Sequence, residues 1–120
     1  MNDSTKRKNV IVEKSYNLAL EIIKVYQQLK DQREFDLARQ LLRSGTSIGA
    51  NIQEAQSAQS RKDFVHKLSI AQKESKETIY WINLLKDSSI LESSKASTIL
   101  ELTTEVDKIL ASILVTTKNS

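Results

Sequence analysis

Cysteine and proline are absent from this chain, and histidine occurs once and glycine twice in 120 residues. Without cysteine there is no disulfide, zinc knuckle or thiol nucleophile, and one histidine leaves little for an imidazole-based metal site. Average usage of about 7% Gly and 5% Pro would put roughly 14 such residues in a chain this long. Their scarcity predicts few turns and long helices. Apolar runs extend over only a few residues and the stretch 1–8 is polar, which predicts neither a secretory leader nor a membrane span, and a cytoplasmic protein. Eighteen Lys/Arg against fifteen Asp/Glu leave a net charge of +3, too mild to select or exclude a nucleic-acid partner. The length suits one domain around one core.

What the chain does have is periodicity. Apolar and small residues recur at alternating spacings of three and four, the mark of a helical seam. One seam runs Ile11, Ser15, Leu18, Ile22, Val25, Leu29, and a second runs Ala38, Leu41, Gly45, Ile48, Ile52, Ala55. A third runs Phe64, Leu68, Ala71, Ser75, Thr78, Ile82, Leu85, and a fourth Ala96, Ile99, Thr103, Val106, Leu110, Ile113. Ser60 with Asp63 three residues on forms a capping box that starts the third helix near Arg61. The serines between Asp87 and Ser94, including Ser89 ahead of Glu92, blur the start of the fourth. The expected helices are 9–31, 35–58, 61–87 and 93–117, behind a basic tail at 1–8 carrying Lys6, Arg7 and Lys8. Short connections make sequential helices antiparallel, so the expected fold is an all-α, up-down-up-down four-helix bundle.

Both glycines, Gly45 and Gly49, lie inside the second seam, where each costs about 1 kcal/mol of helix propensity relative to alanine. On one face, beside Ser44 and Ser47, they allow another helix backbone to approach closely. A kink at Gly45 is the alternative.

Three surface features bear on function. The third helix carries an outward stripe of Lys62, His66, Ser69, Lys73, Lys76 and Tyr80 that contains no acid and runs about 27 Å at 1.5 Å per residue. With Arg39 and Arg43 on the second helix it makes a basic surface suited to a phosphate backbone, where Tyr80 can stack on a base; a merely solvated helix face is the plainer reading. The first helix has apolar outward slots at Tyr16, Leu20 and Ile23, with Ala19 and Tyr26 alongside, which predicts burial against another subunit. Trp81 and Leu84 flank the third seam and serve either core or interface. Finally, Glu54, Glu74 and Glu77 fall on inner or flanking positions near Ser47 and Asn51, as a polar network or, more sharply, a catalytic carboxylate pair. A di-iron site needs two Glu-x-x-His repeats, which His66 alone cannot supply. No serine sits in a strained elbow beside a base. Neither a cofactor nor a metal is expected, and no enzyme activity.

The stretch Gln40-Leu-Leu-Arg-Ser-Gly-Thr-Ser-Ile-Gly-Ala-Asn-Ile-Gln-Glu-Ala55 resembles the signature of the bacterial four-helix-bundle proteins encoded by intervening sequences of large-subunit ribosomal RNA genes. The likeness continues through Ala58-Gln-Ser-Arg-Lys-Asp-Phe64, Lys67-Leu-Ser-Ile-Ala71 and Lys73-Glu-Ser-Lys-Glu-Thr-Ile-Tyr-Trp81 to Leu84-Leu85. It covers about two thirds of the chain. The resemblance implies a homopentamer without assigned catalytic activity. It also implies kinship with the accessory protein of diversity-generating retroelements, a similar pentamer that binds nucleic acid and a reverse transcriptase. The expected function is therefore a non-enzymatic homo-oligomeric bundle binding structured RNA or DNA, or else a scaffold that docks a protein partner such as a reverse transcriptase.

Overall fold

The computed structural model describes the backbone of residues 3–119 and the side chains of residues 10–119. Residues 1 and 2 and the side chains of Lys6, Arg7 and Lys8, assigned from sequence to a basic tail, lie outside the described residues. Four helices follow in chain order: α1 Asp3–Asp31, α2 Phe35–Ala55, α3 Arg61–Asp87 and α4 Ser93–Lys118. Two boundaries differ from the sequence expectation by more than one residue. The α1 backbone takes in most of the segment read as a tail, because a polar stretch with no proline or glycine does nothing to end a helix. Helix α2 stops at Ala55 instead of running to 58, and Gln56, Ser57 and Ala58 close its end with tight bonds to the carbonyls of Gln53, Glu54 and Ala55.

The seams are the core. Every seam position is buried except Phe64, which is half-buried, and Ser44, Leu91 and Leu114 join them. Side-chain pairs fix the directions. The Gly45 Cα sits beside Ile22 and the Gly49 Cα beside Ser15; Glu54 pairs with Lys67 and Arg43 with Glu77; Ser75 donates to Asp107; and Lys14 pairs with Glu105 while Lys95 donates to Gln28. Residue numbers rise on one helix as they fall on the next in α1/α2, α2/α3 and α1/α4, and the direction of α3 against α4 follows, so all four neighbouring pairs are antiparallel. Each helix packs on two neighbours, α1 on α2 and α4, and α3 on α2 and α4; among the described residues no Cα of α1 comes within 8 Å of one in α3, nor any of α2 within 8 Å of one in α4. The bundle measures 46 × 23 × 20 Å.

Local chemistry sets the ends. Ser60 is the α3 N-cap and its hydroxyl accepts from the Asp63 backbone N–H at 3.0 Å. The Asp63 carboxylate reaches back to the Gln59 N–H at 3.3 Å, one residue beyond the cap itself. At the C-termini of α1 and α3 the chain turns through left-handed residues, Arg33 at φ 66° and Ser89 at φ 63°. Glu34 N–H bonds Leu29 C=O while Arg33 N–H bonds Lys30 C=O, and Ile90 with Leu85 and Ser89 with Lys86 repeat the pattern. These are Schellman closures, made without glycine at the left-handed position. Helix α4 starts at Ser93 behind Glu92, whose side chain makes no capping bond.

The glycines serve the α1–α2 contact. A Cβ on Gly45 would lie 2.8 Å from both Cγ atoms of Ile22, and one on Gly49 3.3 Å from the Ser15 carbonyl oxygen. Helix α2 is continuous through both positions, so close packing holds there and no break occurs at Gly45.

Candidate nucleic-acid interface

Helix α3 lies diagonally opposite α1 in the bundle. Five positions of its outward stripe, Lys62, His66, Lys73, Lys76 and Tyr80, are exposed, Tyr80 at 58%, and share a face with half-buried Ser69. Among the described residues Lys62 and Lys73 form no ion pair. The stripe's flanks are a different matter, because acids there are already matched with cations.

On the α2 side, Arg43 forms a fork. Its Nη1 donates to Glu74 Oε2 at 3.1 Å and its Nη2 to Glu77 Oε2. Sequence placed Arg43 in an outward pair with Arg39. The hairpin register instead brings it level with residues 74–77, and two carboxylates one turn apart capture the guanidinium. Arg39 bonds Asp36 on its own helix. The Trp81 indole N–H also donates to Glu77 Oε2, at 3.0 Å. That bond first, and the Arg43 guanidinium after it, hold the Glu77 carboxyl below its usual range against burial, which pushes it up. Glu77 likewise raises the Arg43 pKa. Glu54, further along, pairs with Lys67 at 3.4 Å. Ser47 and Asn51 spend their hydrogen bonds on carbonyls of α2 and do not join the carboxylates. Beneath the fork, buried Thr78 meets Ser44 across the helix pair at 3.0 Å.

On the α4 side, Asp107 receives Ser75 Oγ at 2.6 Å and Lys76 Nζ at 3.1 Å. Sequence counted Lys76 with the free cations. Asp107, which neutralises it, lies on another helix beside the seam residue Val106, and no pattern along α3 points to it. What remains unpaired on the α3 face is Lys62 and Lys73, with His66 between them and Tyr80 at one end. Lys73 acts at a distance as well, since its charge helps to lower Glu77.

The apolar residues of α1 lie elsewhere. Tyr16 is 65% exposed, Leu20 44% and Ile23 38%, while Ala19 and Tyr26 are half-buried. Tyr16 and Ala19 line a groove of about 480 Å³ whose opposite wall is Thr46, Gly49 and Ala50 of α2. Small side chains on both helices leave this hollow. Trp81 packs against the bundle's own core and Leu84 is exposed on α3, the helix diagonally opposite α1. The interface residues read from sequence therefore form two separate patches.

Among the described residues no three His, Cys, Asp or Glu side chains gather as a metal site would require, and no helix is long and apolar enough to cross a membrane. The chain is in class a small antiparallel helical bundle with a cationic outer face on one helix and an apolar one on the helix diagonally opposite. The 23S rRNA-intervening sequence protein family matches it over residues 7–112, and the chain belongs to that family. A solved structure of a protein of unknown function from the S23 ribosomal protein family of Bacteroides thetaiotaomicron VPI-5482, at 1.70 Å, is 46% identical with a TM-score of 0.88, over 90% of this chain and 97% of that one. No curated protein matches.

Proposed function

We propose that this protein is a non-enzymatic, self-associating bundle of the cytoplasm that binds the phosphate backbone of structured RNA or DNA through the outward face of α3. One observation carries this reading. Every carboxylate flanking the middle of that face is already matched, Glu54 by Lys67, Glu74 and Glu77 by Arg43, and Asp107 by Lys76. The cations left over therefore meet solvent with no acid among them. Contacts of this kind are independent of sequence, and repetition of the face in an oligomer multiplies a weak patch into a useful affinity.

Self-association rests on the exposed Tyr16, Leu20 and Ile23 beside the α1–α2 groove, an apolar surface that water disfavours. Helix α1 is diagonal to α3, so a ring closed through the α1 side leaves the cationic faces outside it. The family resemblance supports five subunits. Light scattering should give a mass near five times the 13.6 kDa of one chain, and Leu20→Glu with Ile23→Glu should reduce it to that of one chain. A wild-type monomer at micromolar concentration would overturn the interface.

Anisotropy of labelled structured RNA and matched duplex DNA across a salt series tests the binding. Affinity should fall steeply with salt, and Lys62→Glu/Lys73→Glu should abolish most of it, with the log-log slope shrinking by roughly 0.9 for each duplex phosphate that is no longer neutralised. Lys76 is a poor control because its reversal would set a second acid against Asp107. Binding that ignores both salt and the double variant would sink the reading. It would favour the second one, a scaffold docking a partner protein such as a reverse transcriptase, for which the α1–α2 groove is the supporting observation.

A further inference from the structure

Tyr80 lies at the end of the cationic stripe and is 58% exposed. Its ring meets Trp81 edge to face, with centroids 5.1 Å apart and planes at 71°. Trp81 is held in turn by its indole N–H bond to Glu77, and Glu77 by Arg43, which also grips Glu74. A chain of packed and charge-assisted contacts from α2 through α3 thus backs one side of an aromatic ring that is exposed to solvent. A ring backed in this way has less side-chain entropy to lose when something stacks on it. Leu84, one turn further along α3 and 40% exposed, extends the apolar surface. Lys73, two turns back and about 10 Å along the helix at 1.5 Å per residue, carries the next unpaired positive charge.

A ring presented to water, with cations at one end and an apolar edge at the other, matches a nucleotide whose base is out of its helix: phosphate toward the lysines, base on the ring. It does not match the interior of a duplex, where the bases are already stacked. Resting on the nucleic-acid reading above, we propose that Tyr80 is a stacking platform for an unpaired base, so that the preferred ligand is a folded nucleic acid with a single-stranded loop whose stem backbone follows Lys62 and Lys73.

The chain contains one tryptophan, in ring contact with Tyr80, which makes Trp81 fluorescence a reporter of the site. The probes are an RNA hairpin with an unpaired loop and a blunt duplex of the same stem, each titrated against wild type, Tyr80→Ala, Tyr80→Phe and Lys62→Glu/Lys73→Glu. Anisotropy gives affinity and Trp81 emission reports stacking; circular dichroism confirms the fold of each variant. The hairpin should bind more tightly than the duplex and alone change Trp81 emission. Tyr80→Ala should weaken hairpin binding by roughly 5- to 150-fold and bring it level with the duplex, while Tyr80→Phe keeps the preference. Equal affinity for hairpin and duplex, with Tyr80→Ala unchanged and the lysine variant defective, would overturn the platform and leave phosphate binding standing. Binding of neither probe would overturn both.

Discussion

Replacing Gly45 with alanine adds one methyl group at the tightest point of the bundle, and two opposing effects decide the outcome. Alanine gains about 1 kcal/mol of helix propensity over glycine. Against that, the new Cβ would stand 2.8 Å from both Cγ1 and Cγ2 of Ile22 and 3.0 Å from its Cδ1. Ile22 is fully buried. Its γ carbons branch directly from Cβ, and a β-branched side chain in a helix has essentially one χ1 rotamer, so it cannot swing aside. Relief must come from separating α1 and α2, and overpacking of this kind costs about 1–3 kcal/mol. Gly45→Ala should therefore destabilise the protein by about 1 kcal/mol, opposite in sign to the propensity effect. Ile22→Ala alone should cost about 2–5 kcal/mol by emptying the site. In that background the methyl has room, and Gly45→Ala should become stabilising by about 1 kcal/mol, for a coupling of about 2 kcal/mol. Urea denaturation at fixed protein concentration, followed by circular dichroism and Trp81 fluorescence, measures all four corners of the cycle; the fixed concentration matters because subunit association contributes to the midpoint. A stabilising Gly45→Ala in the wild-type background, or additive effects in the cycle, would refute the close-approach account of the glycines.

At Gly49 the Cβ would meet the Ser15 backbone at 3.3 Å, an approach relieved by a few tenths of an ångström, so Gly49→Ala should fall within about 0.5 kcal/mol of wild type by the same assay. Glu77→Gln tests the Arg43 fork. Folding lowers the Glu77 pKa, so its stabilising contribution is complete above the ordinary glutamate value of about 4.3 and is lost as pH falls through the lowered folded value. Urea midpoints of wild type and Glu77→Gln should differ at neutral pH and converge in acid; a gap independent of pH contradicts this. Ser89 holds φ 63°, where glycine has no Cβ to strain. Ser89→Gly should raise stability by about 0.5–1 kcal/mol, and Ser89→Val should lower it, as thermal unfolding would register.

The alternation of three and four determined most of the fold without help from tertiary contacts. A side chain's side of a helix follows from its position in the 3.6-residue turn, so the seam from Ile11 to Leu29, and the three like it, named the core before any packing was known. Ser60 and Asp63 marked the α3 start for the same reason, since a cap is a contact within four residues. The outward placement of Lys62, Lys73 and Tyr80, and of Tyr16, Leu20 and Ile23, was legible by the same periodicity. What a residue meets on another helix was not. Arg43 reads as a free cation until the hairpin register sets Glu74 and Glu77 beside it, and Lys76 reads so until Asp107 arrives from α4. The hollow among Tyr16, Ala19, Gly49 and Ala50 exists only because two helices place their small side chains at one level, and the assignment of Trp81 to the bundle's own core rests on what packs over it. Periodicity along one helix fixes direction, while charge compensation and cavity shape depend on the axial register between helices, which is set by how whole side chains interlock across the core.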